Sequence, residues 1–206
     1  MWKIKKLGKI GYQEALEYQN HLVKLKQDGL KDNFLLLLEH YPIFTMGKGA
    51  DKNNVLDKNI PVIVINRGGD LTYHGPGQLI GYIIIDLKTQ NYDLHQYLRK
   101  IEELLIETLK EIDIQAYRID KLTGVWANSR KLASIGIGIK KGITMHGFAL
   151  NINPDLSYFS KINPCGLNSS LINSIKELKN SPISLVNIEN LIIKNFFNIF
   201  SGGVND

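Results

Sequence analysis

With 206 residues and a hydrophobic share of 44%, the chain can build a substantial core as one large domain or two small ones. Its single cysteine, Cys165, excludes an internal disulfide and any metal site built from several cysteines, and apolar runs such as Leu35–Leu38 and Ile83–Ile85 are too short to span a membrane. A net charge of +5 (pI ≈ 9.1) admits nucleic acid or an acidic protein as partner. The lysines are scattered, however, the arginines are only Arg67, Arg99, Arg118 and Arg130, and no nucleic-acid-binding signature occurs.

The basic start, Met1–Lys6, lacks the apolar stretch and cleavage site of a signal peptide. It reads as the first strand of a cytoplasmic protein. Gly11–Asp28 follows as an amphipathic helix with Ala15, Tyr18, Leu22 and Leu25 on its inner face and Gly29 as its stop. Phe34–Leu38 is a continuous apolar strand, which implies burial on both faces. Phe44–Gly49 and Asp51–Asn59 read as loops. Two strand-like runs, Pro61–Ile65 and Leu79–Leu87, flank the stretch from Arg67 to Gln78, Arg-Gly-Gly-Asp-Leu-Thr-Tyr-His-Gly-Pro-Gly-Gln. That stretch is expected to be a long irregular loop, its glycines allowing close backbone approach to a guest.

Asp93–Ile112 carries the clearest helical period, through Leu94, Tyr97, Leu98, Ile101, Leu104, Leu105 and Ile112, with Asp93 as its cap and Gln96 three residues on. Gln115–Ile119, Gly124–Ala127, Leu132–Ile139 and Ile143–Ile152 read as strands, with a turn at Asn128–Arg130. Asp155–Ile162 is short and irregular, and Asn163–Gly166 is a loop. Ser184 caps a last helix, Leu185–Phe200, whose inner face holds Ile188, Leu191, Ile192, Phe196 and Ile199. Strands joined directly, with few helices between them, imply an α+β fold with mixed β-sheets and flanking helices.

Chemistry has few candidate seats. Cys165, between a proline and a glycine in a polar loop, has few local apolar neighbours to bury it. A nucleophilic thiol must be accessible and needs a nearby cation or base. His74, His146 and Lys131 are all available for that, and spacing alone does not choose among them. The glycines of Arg67–Gln78 end in no Gly-Lys-Ser/Thr and lack the strand–GxGxxG–helix context of a dinucleotide site. No paired-histidine metal motif and no Gly-x-Ser-x-Gly elbow occurs, so neither a metal nor a cofactor is expected.

Several blocks in series resemble the lipoyl(octanoyl) transferases. Arg67–Leu79, continuing to Tyr82, is similar to the signature of that family. Leu38–Pro42 with Thr45–Gly47 lies upstream, and Gly124–Trp126, Lys131–Gly136, His146–Asn151 and Pro164–Gly166 lie downstream. Between Cys165-Gly166 and Ser169 the chain is shorter than many members. The resemblance implies a single domain over residues 1–206 with the fold of the biotin/lipoyl-protein ligase catalytic domain. It implies octanoyl-acyl carrier protein as donor. The acceptors it implies are lipoyl domains of 2-oxoacid dehydrogenase complexes and the glycine cleavage H protein. By position it makes Cys165 the acyl-thioester nucleophile and Lys131 its partner. It lines the substrate pocket with Arg67, Gly68, Gly69, Asp70, Leu71, Thr72, Tyr73 and His74, with Ser134, Ile135 and Gly136, and with Gly147, Phe148 and Ala149. An ATP-dependent ligase of the same fold is the alternative.

Overall fold

The structure, a computed structural model, describes residues 1–200; residues 201–206 of the expected domain lie outside the described residues. Strand β1 (Trp2–Ile10) leads through helix α1 (Tyr12–Gln27) to β2 (Asn33–His40), which lies parallel to β1. A crossover of this kind needs a helix to return the chain, and α1 supplies it. Next come β3 (Ile43–Met46), β4 (Val62–Val64), β5 (Leu71–His74) and β6 (Gln78–Ile84). Helix α2 (Leu94–Lys110) precedes a run of strands, β7 (Tyr117–Ile119), β8 (Leu122–Ala127), β9 (Arg130–Lys140) and β10 (Ile143–Asn151). Short 3-10 turns fill Leu156–Leu171, and α3 (Ile175–Lys179) and α4 (Leu185–Phe200) complete the described chain.

Seven strands form one mixed sheet in the order β1-β2-β6-β10-β9-β8-β7, and three form a second in the order β4-β3-β5. Strand β2 is buried on both faces, as its unbroken apolar run implies. Leu35 and Leu37 pack toward α2 and α4, while Phe34, Leu36 and Leu38 pack toward α1. The large sheet is therefore the middle layer, with α2 and α4 on one side. On its other side lie α1 and the small sheet, the latter with its own core of Phe44, Leu71, Tyr73, Phe159 and Ile162.

Helix α2 forms where its period places it, and its capping box is complete. The Asp93 carboxylate accepts from the Gln96 N–H (2.7 Å), and the Gln96 side chain accepts from the Asp93 N–H (3.1 Å). Three expectations are corrected. Arg67–Gln78 is not one loop, since Leu71–His74 pairs antiparallel with β3 through Thr45–Thr72 and Phe44–Tyr73. Phe44–Met46, expected to open a glycine-bearing loop over Phe44–Gly49, lies in β3, the central strand of the small sheet. Leu25 and Leu94, placed on inner faces by period, are exposed, because Gln19 and Lys26 take the buried stripe of α1 and Leu94 begins α2.

Candidate active site

A cavity of about 470 Å³, part of it open to solvent, lies between the small sheet and the α1-facing side of the large one. Arg67, Gly69, Thr72, His74, Ser134, Ile135, Gly136, Gly147, Phe148, Ala149 and Cys165 line it, so residues far apart in the chain meet there. Gly68, Asp70, Leu71, Tyr73 and Lys131 are not on its wall. Strand parity explains part of this. In β5, Thr72 and His74 face the cavity, whereas Leu71 and Tyr73 point into the small core, where Tyr73 stacks on Tyr158 at 4.6 Å. Tyr12, Ile65, Ile80, Tyr82 and His146 complete the wall. Sequence pattern hid Tyr12 and Ile80 as ordinary core residues of a helix and a strand.

The glycines serve mainly their own neighbours. A Cβ at Gly75 would overlap the Tyr73 ring, and one at Gly77 (φ +84°) would lie 2.6 Å from the Asn153 backbone. Gly47, Gly69 and Gly136 wrap Arg67, where an added Cβ would stand 3.0–3.3 Å from its side-chain atoms. The guest that needs their close approach is thus a side chain of the protein itself.

Arg67 is buried, and its hydrogen bonds go to neutral acceptors. Nη1 donates to the Gly68 carbonyl (2.9 Å), and Nη2 donates to the Thr45 carbonyl (3.2 Å) and hydroxyl (3.1 Å). No carboxylate lies within salt-bridge distance of it among the described residues. Burial pulls its pKa down; the Cys165 thiol is first among the groups opposing this, followed by Tyr12, Tyr82 and Asp70. An arginine stays protonated in proteins regardless, so the cavity wall holds one fixed positive charge.

Three histidines surround it, in different states of commitment. His40 donates from Nδ1 to the Ile10 carbonyl (3.0 Å), which fixes Nε2 as acceptor of the Tyr82 hydroxyl (2.7 Å). His74 Nδ1 bonds Gln78 Oε1 (2.7 Å), and Gln78 continues to Asn151 and the Asn173 carbonyl. His146 keeps both ring nitrogens unpaired among the described residues, while its backbone N–H donates to Gln19 Oε1 (2.7 Å). Burial lowers all three pKa values, His74 to about 3 and His146 to about 4; positive neighbours add to the effect at His74 and His146, while the bond to the Ile10 carbonyl opposes it at His40. All are neutral near pH 7. His74, considered for proton handling on sequence grounds, is therefore buried, weakly basic and already bonded at one nitrogen. The Tyr12 hydroxyl is buried without a partner, and burial pushes its pKa up to about 12.

Cys165 is half-buried in the turn Pro164–Gly166 with left-handed backbone angles (φ 55°, ψ 32°). Non-glycine residues with positive φ elsewhere in the described chain sit in turns. His146 (φ 60°, inside β10) is the exception, and both it and Cys165 line the cavity. Such conformations carry strain of about 1–3 kcal/mol and persist where the surroundings over-determine them. The surroundings here are specific. Asn163 N–H donates to the Asn54 carbonyl (2.8 Å), Asn54 donates to the Asp70 carboxylate, and Gly166 N–H donates to the Asn163 carbonyl (3.2 Å). Asp70 thus braces the cysteine turn instead of lining the cavity.

Lys131 has a separate seat. It pairs with Trp126 across β8 and β9 beside a bulge. Val125 and Ala127 face the helices, so Trp126 and Lys131 face the cavity side of the sheet. The Lys131 ammonium lies 5.8 Å from the centroid of the Trp126 ring, and its stem crosses Gly124, where a Cβ would come within 2.6 Å of Cε. No hydrogen bond joins Lys131 to Cys165 among the described residues. The Lys131 carbonyl accepts from Asn173 N–H (2.9 Å), which ties β9 to the segment that follows Cys165.

No group of three His, Cys, Asp or Glu among the described residues is placed to hold a metal ion, and no helix among them is long and apolar enough to cross a membrane. A half-buried thiol in a left-handed turn thus lines a cavity between two sheets of an α+β scaffold, a setting in which a nucleophilic side chain can meet a guest. Residues 11–197 match the family described as the lipoyl protein ligase A/B catalytic domain, and the chain belongs to it. Among its relatives, "Octanoyltransferase" of Citrifermentans bemidjiense is 48% identical over 83% of each chain. The "Octanoyltransferase" of Geobacter metallireducens is 45% identical over 94% of this chain and 91% of its own. Among solved structures, lipoate-protein ligase A bound with ATP superposes with a TM-score of 0.77 at 16% identity, covering 97% of this chain and 85% of its own. A bipartite lipoate protein ligase from Thermoplasma acidophilum gives 0.77 at 18% identity, covering 97% and 83%. The last two likenesses establish the fold, which is that expected from the sequence.

Proposed function

We propose that this chain, acting as a single cytoplasmic domain, transfers an octanoyl group from octanoyl-acyl carrier protein to a lysine of lipoyl domains. The acceptors are those of 2-oxoacid dehydrogenase complexes and the glycine cleavage H protein. The observation that carries this reading is Cys165, held in a strained turn on the cavity wall, in a chain 45–48% identical to octanoyltransferases.

In the first half, the Cys165 thiolate attacks the carrier-protein thioester. A new C–S bond forms, the old one breaks, and the leaving phosphopantetheine sulfur takes a proton from Lys131. In the second half, a neutral lipoyl-domain lysine attacks the octanoyl-Cys165 thioester, its proton passes to Lys131, and the thiolate is regenerated. Thioester exchange is nearly balanced and amide formation runs downhill, so neither half requires ATP. Phe148, Ile135 and Ile80 supply the apolar part of the cavity wall for the acyl chain. Backbone N–H donors on a developing oxyanion typically contribute about 3–4 kcal/mol each. Gly147 is a candidate; the Gly166 N–H is already engaged by Asn163.

The fold is shared with ATP-using ligases, and that second reading makes a different demand. Mixing the protein with octanoyl-carrier protein and no nucleotide, then weighing it intact, separates the two. One octanoyl adduct on the wild type and none on Cys165→Ser is the expected result. Adduct-free enzyme that acylates a lipoyl domain only when ATP is added would establish the ligase instead.

A further inference from the structure

Among the side chains lining the cavity, Arg67 alone carries a formal charge at neutral pH. The other titratable groups there are His74, His146, Tyr12, Tyr82 and Cys165. The two histidines are held neutral, and the tyrosines are held protonated by burial. Outside the wall, His40 is neutral and bonded at both nitrogens. Asp70 is occupied by Asn54 and the Leu71 N–H, and Lys131 sits over Trp126. A buried guanidinium with only neutral partners is costly unless an anion completes it. Cys165, half-buried on the same wall, is the one thiol there and the first of the groups whose negative charge would favour the protonated guanidinium.

We infer that Arg67 is the fixed counter-charge of the Cys165 thiolate, a positioning residue that acts on the reaction through the sulfur. Its place is built by Gly47, Gly69 and Gly136, which leave room for it, and by Thr45 and Gly68, which hold the guanidinium. The charge cannot be withdrawn by titration, so it acts in both halves of the cycle. Before acylation it favours the attacking thiolate. After acylation it faces a neutral thioester again, which favours departure of the sulfur as thiolate when the acceptor amine attacks. Lys131, by contrast, carries the proton transfers of the proposed mechanism. The inference rests on Cys165 as the nucleophile of the proposed transfer, yet its test needs no acyl substrate.

The test is the rate at which the Cys165 thiolate displaces iodide from iodoacetamide, measured from pH 5 to 10 on the intact protein. In Arg67→Gln the midpoint should rise by about one pH unit, and the rate at pH 7 should fall about tenfold, one unit being a factor of ten. Arg67→Lys, which keeps the charge, should recover most of the loss. Gly136→Ala pushes on Arg67 Cδ without removing it, and should shift the midpoint in the same direction by less; it serves if Arg67→Gln does not fold. Profiles of Arg67→Gln and Gly136→Ala that superimpose on the wild type would overturn the inference. An octanoyl adduct on the wild type beside such unchanged profiles would overturn this inference alone; altered profiles without any adduct would overturn the transferase reading instead.

Discussion

Arg67 and Lys131 are both buried cations, one in the segment that joins β4 to β5 and the other on β9 of the large sheet, and their seats differ in kind. Arg67 is gripped by three hydrogen bonds and three glycines on the cavity wall. Lys131 lies off that wall on a long stem, over Gly124 and against the Trp126 ring, with no hydrogen bond from its ammonium among the described residues. One geometry suits a permanent charge held still. The other suits a group that swings and exchanges protons, since lysine titrates where arginine does not. An enzyme that must both stabilise a thiolate and carry its proton gains from dividing those tasks.

The division can be broken from the Lys131 side with the largest effect. Lys131→Ala should lower octanoyl transfer by about a thousandfold, within the usual range for lost acid–base catalysis, while far-UV circular dichroism stays native. Near-normal turnover would remove Lys131 from the mechanism and leave Arg67 as the sole working cation. Gly124→Ala is subtler. It adds a Cβ 2.6 Å from Lys131 Cε at a φ of +135°, so it should displace the ammonium and destabilise the fold by about 1–3 kcal/mol. Transfer should fall about tenfold or more, with the iodoacetamide profile of Cys165 unchanged. On the Arg67 side, Thr45→Val removes one of three acceptors and should cost about 1.5 kcal/mol in urea unfolding. No change there would mean that the hydroxyl contributes nothing to holding the guanidinium.

The histidines set the smallest and broadest effect. Their folded pKa values lie below the unfolded value near 6.5. The unfolded chain therefore binds protons first as the pH falls. Stability tied to them is complete above about pH 6.5 and is lost progressively as the pH drops toward 4 and then 3. Thermal melting followed from pH 7 to 4 should show a steady decline in Tm; a flat profile would mean that the three rings are not buried neutral.

Much of this was legible in the chain. Phe34–Leu38 announced a strand buried on both faces, Asp93 and Gln96 announced a capped helix, and the blocks around Arg67, Ser134, Gly147 and Cys165 do converge on one cavity. What stayed hidden depended on tertiary neighbours. Leu71–His74 alternates as a strand should, but glycines on both sides of it masked the period. Asp70 resembled a pocket residue, yet its carboxylate braces the cysteine turn through Asn54. The left-handed backbone of His146 leaves no local trace, because a buried Gln19 more than a hundred residues away accepts its N–H. Likewise the glycines near Arg67 gave no sign that the object they make room for is Arg67 itself.

The proposed reaction is a relay, from carrier thioester to Cys165 to lipoyl-domain lysine. It is tested most directly by isolating enzyme that carries labelled octanoate, mapping the label by peptide mass, and mixing that enzyme with a lipoyl domain in the absence of nucleotide. The label should sit on Cys165 before mixing and on the acceptor lysine afterwards, with the free thiol restored. Label that lies elsewhere, or that stays on Cys165 while the lysine remains bare, would contradict it.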